Sequence, residues 1–152
     1  MEITRHFTAT TFVVNSGKTL LHLHRSLKMW LPPGGHIDRD ELPHVAALRE
    51  VKEETGLDVD LIHEMPTIHS ENAQEIPAPR HLLLENINPY HQHIDMIYFA
   101  AADSFDAVPE EGESLEIRWF TEDELDGDEI ENDIRVLGKE AIQAINDLKM
   151  DL

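Results

Sequence analysis

The chain has 152 residues, of which 41% are hydrophobic, and it contains no cysteine. This length is typical of one folded domain, and the lack of cysteine excludes disulfide scaffolds, thiolate zinc sites and cysteine nucleophiles. Since 31 acidic residues against 12 basic ones give a net charge of −19, we expect no nucleic-acid or membrane partner, because such a surface repels both.

Composition also bears on where the protein works. No apolar run is long enough to span a membrane, and the first residues lack the apolar core of a secretory signal. We therefore expect a cytoplasmic protein with a single domain covering residues 1–152. Dense carboxylate with only 5 lysines resembles proteins of salt-loving organisms, so we expect a halophilic source; the alternative is an acidic protein from an ordinary cell.

Hydrophobic patterning predicts strands, then a helix, then more strands and a final helix. The strands are expected at 7–14, 19–24, 57–62, 80–86, 94–101 and 115–120, with a hairpin turn at 15–17 and a rigid turn at 30–35. The first helix is predicted at Pro43–Thr55, with Pro43 in its first position and Gly56 as its C-terminal cap. The second lies where apolar residues recur at helical spacing from Ile134 to Leu148. This order predicts an α/β/α sandwich around a mixed sheet.

The first predicted helix carries an unusual group of charges, because Glu50, Glu53 and Glu54 share one side of it. Neighbouring like charges destabilise a helix, and its dipole disfavours anions near the C-terminal end. The group therefore indicates a bound cation, and hard oxygen ligands favour Mg²⁺ or Mn²⁺; the alternative is a solvated acidic face. The apolar side is expected to pack on the sheet and consists of Val45, Leu48 and Val51, while Ala46 and Ala47 accompany the carboxylates.

A fixed spacing surrounds these glutamates. The 23 residues from Gly35 to Leu57 match the pattern G-x5-E-x7-R-E-U-x-E-E-x-G-U, in which U is aliphatic, at every fixed place. The matching residues are Gly35, Glu41, Arg49, Glu50, Val51, Glu53, Glu54, Gly56 and Leu57. This pattern is the signature of the Nudix hydrolases, the MutT-like family, which the chain thus resembles.

The resemblance implies a Nudix-type α/β/α sandwich that cleaves the diphosphate linkage of a nucleoside-diphosphate-linked small molecule, with Mg²⁺ or Mn²⁺ as cofactor. In the family, helix glutamates and a glycine carbonyl hold the metal, which implies Glu50, Glu53, Glu54 and Gly34 as ligands here. The resemblance implies Glu50 or Glu53 as general base, and the spacing leaves both open.

Residues around these ligands have expected supporting roles. Arg49 is expected to pair with a neighbouring glutamate and orient it, or alternatively to contact a phosphate. Glu41 is expected to be structural, because an anion near the start of a helix is favoured by the dipole. Leu42 stands where Nudix helices often have Ser or Thr, so we expect the side-chain cap to be lost or supplied by Asp40.

Substrate contacts are less constrained by the pattern. Trp30 is the aromatic residue that we expect to stack on a base, and His36 is expected near the phosphates because it follows the glycines. Many family members add an acid from a later loop, for which Glu113 is preferred here. The full set considered is Glu110, Glu111, Glu113 and Glu116. Tyr98 and Phe120 are expected in the core.

Two histidine pairs, His22 with His24 and His91 with His93, have the one-face spacing of a strand, which suits Zn²⁺. No third ligand is placed by the sequence, so solvated or core-edge histidines are the expectation.

The substrate itself stays open, because the markers that sort family members acting on ADP-ribose, dinucleoside polyphosphates, NADH and coenzyme A are missing. We expect a small-molecule nucleotide as partner and a monomer or homodimer. Alternative functions are a nucleoside triphosphate pyrophosphatase that cleans the nucleotide pool and a non-catalytic nucleotide-binding Nudix module. Isomerisation of an isoprenoid diphosphate would need a cysteine, which the chain lacks.

Overall fold

The computed structural model describes residues 2–109, 112 and 114–150. Within them, eight strands form one mixed sheet. The strands are β1 Thr4–Asn15, β2 Lys18–His24, β3 Trp30–Leu31, β4 Gly34–His36, β5 Asp60–Ile62, β6 His81–Asn88, β7 His91–Ala101 and β8 Ser114–Phe120. The helices of the described residues are α1 Pro43–Thr55, α2 Asn132–Met150 and a short 3₁₀ helix at Glu124–Asp126. The predicted α/β fold with a mixed sheet is confirmed.

The sheet is built around β1 and β7, which pair in parallel from Thr4 opposite His91 to Val14 opposite Ala101. The other named pairings are antiparallel: β1 with β2 and β4, β2 with β3 and β8, and β7 with β5 and β6. Because helices cover both faces, the central strands are continuously apolar where they cross the core.

Each helix covers one face of the sheet. On the α2 face, Phe12, Phe99 and Phe120 pack against the apolar side of α2. That side consists of Ile134, Leu137, Ala141, Ile142 and Ile145. On the α1 face, the alternate strand residues meet α1 in two smaller clusters. The helical spacing predicted for α2 is therefore confirmed, although Leu148 at its end is exposed.

The side that α1 buries differs from the expected one. Val45 and Leu48 are 44% and 36% exposed, whereas Ala46, Ala47 and Glu54 are buried. The prediction that Val45 and Leu48 pack on the sheet is therefore wrong. The small alanine side chains let the helix backbone lie close to Ala9 and Tyr98, and this orientation turns the carboxylate side of the helix towards the sheet. Hydrophobic patterning favoured the bulkier apolar residues because it does not show how closely a helix backbone can approach a sheet.

Most strand boundaries agree with those predicted from the sequence. The differences occur where a strand pairs with another that is distant in the sequence. The hairpin turn is confirmed, with positive φ at Ser16 and Gly17. Both β1 and β7 begin earlier than predicted, because their ladder continues through polar residues. The predicted rigid turn at 30–35 contains β3 and β4, which pair with β2 and β1. None of the described helices combines the length and apolar character needed to cross a membrane.

Candidate active site

The ends of α1 are set by backbone geometry. Pro43 occupies the start, and Gly56 ends the helix with a left-handed φ of 76°, its amide donating to the carbonyl of Lys52 at 2.9 Å. Leu42 is the N-cap residue and provides no side-chain cap. Asp40, the expected substitute, does not cap the helix and has a positive φ of 69°.

Arg49 connects three carboxylates. Its Nε donates to Glu41 at 2.7 Å, and its Nη1 donates to Glu50 at 2.8 Å and to Glu53 at 3.2 Å. Its Nη2 donates to the carbonyl of His36 at 3.0 Å. One guanidinium thus fixes two acids of α1 relative to the loop before the helix and to the end of β4.

Glu41 forms the other half of this arrangement. It accepts two hydrogen bonds from Arg49 and one from the backbone amide of Asp38 at 3.0 Å. The hydrogen bond from Arg49 is the main cause that holds the pKa of Glu41 below its usual value. The same contact is the largest of those that raise the pKa of Arg49. Glu41 therefore holds the loop on the helix through Arg49, in place of the helix-dipole contact expected from sequence.

Two glycines let the acids of α1 reach the sheet. A Cβ on Gly35 would lie 2.5 Å from Oε1 of Glu50, so the carboxylate occupies the space that a side chain would need. The amide of Gly34 donates to Oε2 of Glu54 at 3.2 Å. Ligation of a metal by the Gly34 carbonyl stays a prediction. Glu50 and Glu54 therefore converge on consecutive glycines of β4.

His22 is a neighbour of the site that sequence analysis does not assign to it. Its Nε2 lies 3.6 Å from Oε2 of Glu54, and its Nδ1 lies 2.7 Å from the hydroxyl of Ser114. Both side chains of the pair are almost fully buried. The alternation of His22 and His24 along β2 is visible in the sequence, but only the sheet and the orientation of α1 bring His22 to Glu54.

Of the residues predicted to bind substrate, Trp30 and His36 lie in the described part of the chain, and their surroundings differ. Trp30 is only 8% exposed and packs edge-on against Phe120, so it presents little surface to a ligand. His36 is exposed, and its ring lies beside those of His6 and His93. Glu116 is exposed on β8. The preferred Glu113, together with Glu110 and Glu111, lies outside the described residues. Tyr98 and Phe120 are buried, as expected.

The donor set fits a hard divalent cation. Glu50, Glu53 and Glu54 offer carboxylate oxygens, which Mg²⁺ and Mn²⁺ prefer. Arg49 contacts one oxygen of Glu50 and one of Glu53, so each carboxylate keeps a second oxygen that Arg49 does not contact. The arrangement is therefore suited to binding a divalent metal.

The α/β fold carries an acidic helix against consecutive glycines of β4, and comparison with known proteins gives the family. The family model described as NUDIX domain matches residues 4–138. The chain therefore belongs to the Nudix family, and it is a hydrolase that acts on pyrophosphate bonds. Members of the family generally depend on a divalent metal and act on small-molecule nucleotides.

Solved structures of similar fold agree with this assignment. A NUDIX-family hydrolase from Clostridium perfringens is 36% identical, with a TM-score of 0.84 over 94% of this chain and 99% of that chain. The MutT protein from Methanosarcina mazei Go1 is 18% identical, with a TM-score of 0.66 over 96% and 98%. A UDP-X diphosphatase is 16% identical, with a TM-score of 0.59 over 97% of this chain and 65% of that chain. The last two show similarity of fold alone.

Proposed function

We propose that this chain is a Mg²⁺-dependent pyrophosphohydrolase that cleaves the diphosphate linkage of a nucleoside-diphosphate-linked small molecule. The observation that supports this most is the convergence of Glu50 and Glu54 on Gly35 and Gly34, with Arg49 holding Glu50 in place. The protein acts as a single domain over residues 1–152, as a monomer or homodimer in the cytoplasm, and has no nucleic-acid or membrane partner. Its charge of −19 supports the expected absence of nucleic-acid and membrane partners, because such a charge repels polyanions.

The metal would be held by Glu50, Glu53, Glu54 and the carbonyl of Gly34. When bound, Mg²⁺ offsets the phosphate charge and lowers the pKa of its coordinated water. Mn²⁺ has similar ligand preferences and is expected to substitute for it.

Arg49 acts as a positioning residue, since it holds Glu50 and Glu53 at 2.8 and 3.2 Å. Either of these glutamates has the carboxylate needed to take the proton of the attacking water. Their surroundings differ, because the side chain of Glu50 is 14% exposed and that of Glu53 is 52% exposed. Different pH–rate profiles of the two Glu→Asp variants would identify the base.

The alternative substrate class is the nucleoside triphosphates, because membership of the family leaves the substrate open. The two reactions release different products. Adding water across the linkage of a nucleoside-diphosphate-linked molecule gives a nucleoside monophosphate and a second phosphomonoester. Adding water between the α and β phosphates of a triphosphate gives a nucleoside monophosphate and pyrophosphate.

The test is a panel of both substrate classes with Mg²⁺, with nucleoside monophosphate, phosphomonoester and pyrophosphate measured separately. We expect turnover of the nucleoside-diphosphate-linked class without pyrophosphate. Turnover restricted to triphosphates would replace this proposal with the pool-cleaning activity. Nucleotide binding without turnover of any compound would indicate a non-catalytic module.

The ligand assignment is tested by Glu53→Gln and Glu54→Gln. Each should lower turnover by about 100-fold or more, because losing groups that support a metal site costs roughly 10- to 100-fold and these groups are ligands themselves. Glu71→Gln, in an exposed loop, is the matched control and should keep wild-type turnover. Near-normal rates in both site variants, with normal folding by circular dichroism, would rule out this metal site.

A further inference from the structure

Four histidine rings meet at one end of the sheet. The ring centroid of His6 lies 5.3 Å from that of His36 and 4.6 Å from that of His91. The ring of His93 lies 5.1 Å from His36 and 5.0 Å from His91. They come from three separate strands: His6 from β1, His36 from β4, and both His91 and His93 from β7.

Strand register holds the cluster together. In the parallel pair of β1 and β7, His6 lies opposite His93 and Thr4 lies opposite His91. In the antiparallel pair of β1 and β4, His36 lies opposite Thr8. Because side chains two residues apart share a face of the sheet, the four histidines project from the same face. Their proximity thus follows from three rigid strands and not from a chance loop conformation.

Three of these side chains have the geometry of ligands. One nitrogen each of His6, His36 and His91 lies within 4.8 Å of the other two. A Zn–N bond is about 2.0–2.1 Å, so tetrahedral ligand nitrogens are separated by roughly 3.3 Å. His6 and His36 are exposed and His91 is half-buried, so ligation requires side-chain rotations that shorten these separations.

The ligand chemistry differs from that of the α1 site. Imidazole nitrogen suits Zn²⁺, Ni²⁺ and Cu²⁺, whereas the carboxylates suit Mg²⁺ and Mn²⁺. A charge of −19 also raises the local concentration of cations around the protein.

We propose that His6, His36 and His91 form a second metal site that binds Zn²⁺ or a similar transition-metal ion, with water in the remaining positions. The ion connects β1, β4 and β7, so it braces the sheet at the end of the strand that carries Gly34 and Gly35. The site is separate from the carboxylate site, and the proposed hydrolase activity does not depend on it.

The experiment is equilibrium dialysis of metal-free protein against Zn²⁺, with Mg²⁺ in large excess to occupy the carboxylates, followed by metal analysis and melting curves. We expect one Zn²⁺ per chain and a melting temperature that rises with Zn²⁺, because ligand binding stabilises the folded state by mass action. His6→Gln and His91→Gln should each weaken Zn²⁺ binding by about 10-fold or more and remove the rise in melting temperature. His69→Gln, at an exposed histidine outside the cluster, should behave like the wild type.

The melting temperatures of the variants without Zn²⁺ show whether each one folds, and His6 is the safer position because its side chain is exposed. Hydrolysis with Mg²⁺ should be unchanged in His6→Gln, which separates this proposal from the hydrolase assignment. The proposal is overturned if the wild type takes up no Zn²⁺ at a free concentration of about 100 μM, which would saturate a site with a micromolar Kd. It is equally overturned if Zn²⁺ binding survives both histidine substitutions, or is lost in Glu53→Gln and kept in His6→Gln.

Discussion

At the scale of single residues, the consecutive glycines of β4 serve different purposes. The space beside Gly35 is filled by the carboxylate of Glu50, the end of a side chain that can move. The space beside Gly34 is bounded by the backbone carbonyl of Ala9 at 2.8 Å and by Thr10, which belong to the central strand. One glycine therefore positions a functional group, and the other allows two strands to pair.

This difference predicts separate effects of two alanine substitutions. Gly35→Ala should displace Glu50 and lower turnover by about 10-fold or more while the melting temperature changes little, since misplacing a catalytic group by about 1 Å can cost roughly 100-fold. Gly34→Ala should lower the free energy of unfolding by about 1–3 kcal/mol through overpacking against backbone. Kinetics and urea unfolding of both variants measure this. A fully active Gly35→Ala enzyme would contradict the assigned position of Glu50.

A buried acid, Asp95, and the half-buried Glu85 beside it give a pH effect at the same scale. Asp95 accepts hydrogen bonds from Thr8 at 2.9 Å and Thr10 at 2.8 Å, and it faces Glu85 on β6. Burial, and next the charge of Asp95, raise the pKa of Glu85 to about 8, and burial also raises the pKa of Asp95. Asp133 at the start of α2 adds to the repulsion.

The sign of the resulting pH dependence follows from proton binding. Between the ordinary glutamate pKa of 4.5 and about 8, folded Glu85 keeps a proton that the unfolded chain releases, so stability falls as the pH rises through this window. Glu85→Gln should show a weaker fall, and Glu71→Gln should follow the wild type. Urea unfolding at about pH 5, 6.5 and 8 measures the slopes. Equal slopes in wild type and Glu85→Gln would contradict the raised pKa of Glu85 in the folded protein.

At the scale of elements, the important feature is the side on which α1 packs. Ala46 and Ala47 are fully buried beside Tyr98, and Val45 on the opposite side is 44% exposed. The close approach allowed by the alanines delivers Glu54 to Gly34 and His22. The orientation of the helix and the geometry of the site are thus one property of the fold.

Substitutions on the two sides of α1 test this orientation. Ala47→Leu should destabilise the protein by about 1–3 kcal/mol, because it inserts extra carbon atoms into a packed contact. Val45→Gln should stay within about 0.5 kcal/mol of the wild type, as is usual for exposed positions. Denaturant unfolding measures both. If Val45→Gln destabilised the protein more than Ala47→Leu, the result would contradict the observed orientation of α1. It would instead support the packing side expected from the hydrophobic pattern.

At the scale of the whole molecule, charge is the dominant feature. Residues 103–152 contain 17 acidic and 4 basic residues, so most of the −19 lies in the last third of the chain. Some of these acids are paired, as in the contact of Lys139 with Asp126 at 2.6 Å. The excess acids still repel one another across the surface, and this repulsion opposes folding.

We therefore predict that salt stabilises the protein. The melting temperature should rise between about 0.1 and roughly 2 M KCl, because the Debye length shrinks from about 10 Å to about 3 Å at 1 M. Sucrose at matched osmolality is a control for effects other than screening. A melting temperature that stays flat or falls would remove the argument for a salt-loving source.

The features that the sequence by itself determined are local or strictly spaced. Pro43 and Gly56 bound α1, residues 15–17 mark the hairpin, and the spaced pattern from Gly35 to Leu57 identifies the acids and their family. These signals work because capping, turn conformation and helical spacing depend on neighbours within a few residues. The same locality explains why the approximate positions of the longer strands were predictable.

Only the tertiary structure decided which side of α1 is buried, where His22 lies and how His6, His36 and His91 meet. These features depend on strand register and on the close approach of a helix to a sheet, which join residues distant in sequence. A one-residue change of register would place each strand histidine on the other face while leaving the local sequence unchanged. The pattern of one chain therefore specifies its catalytic motif, whereas the surroundings of that motif come from long-range packing.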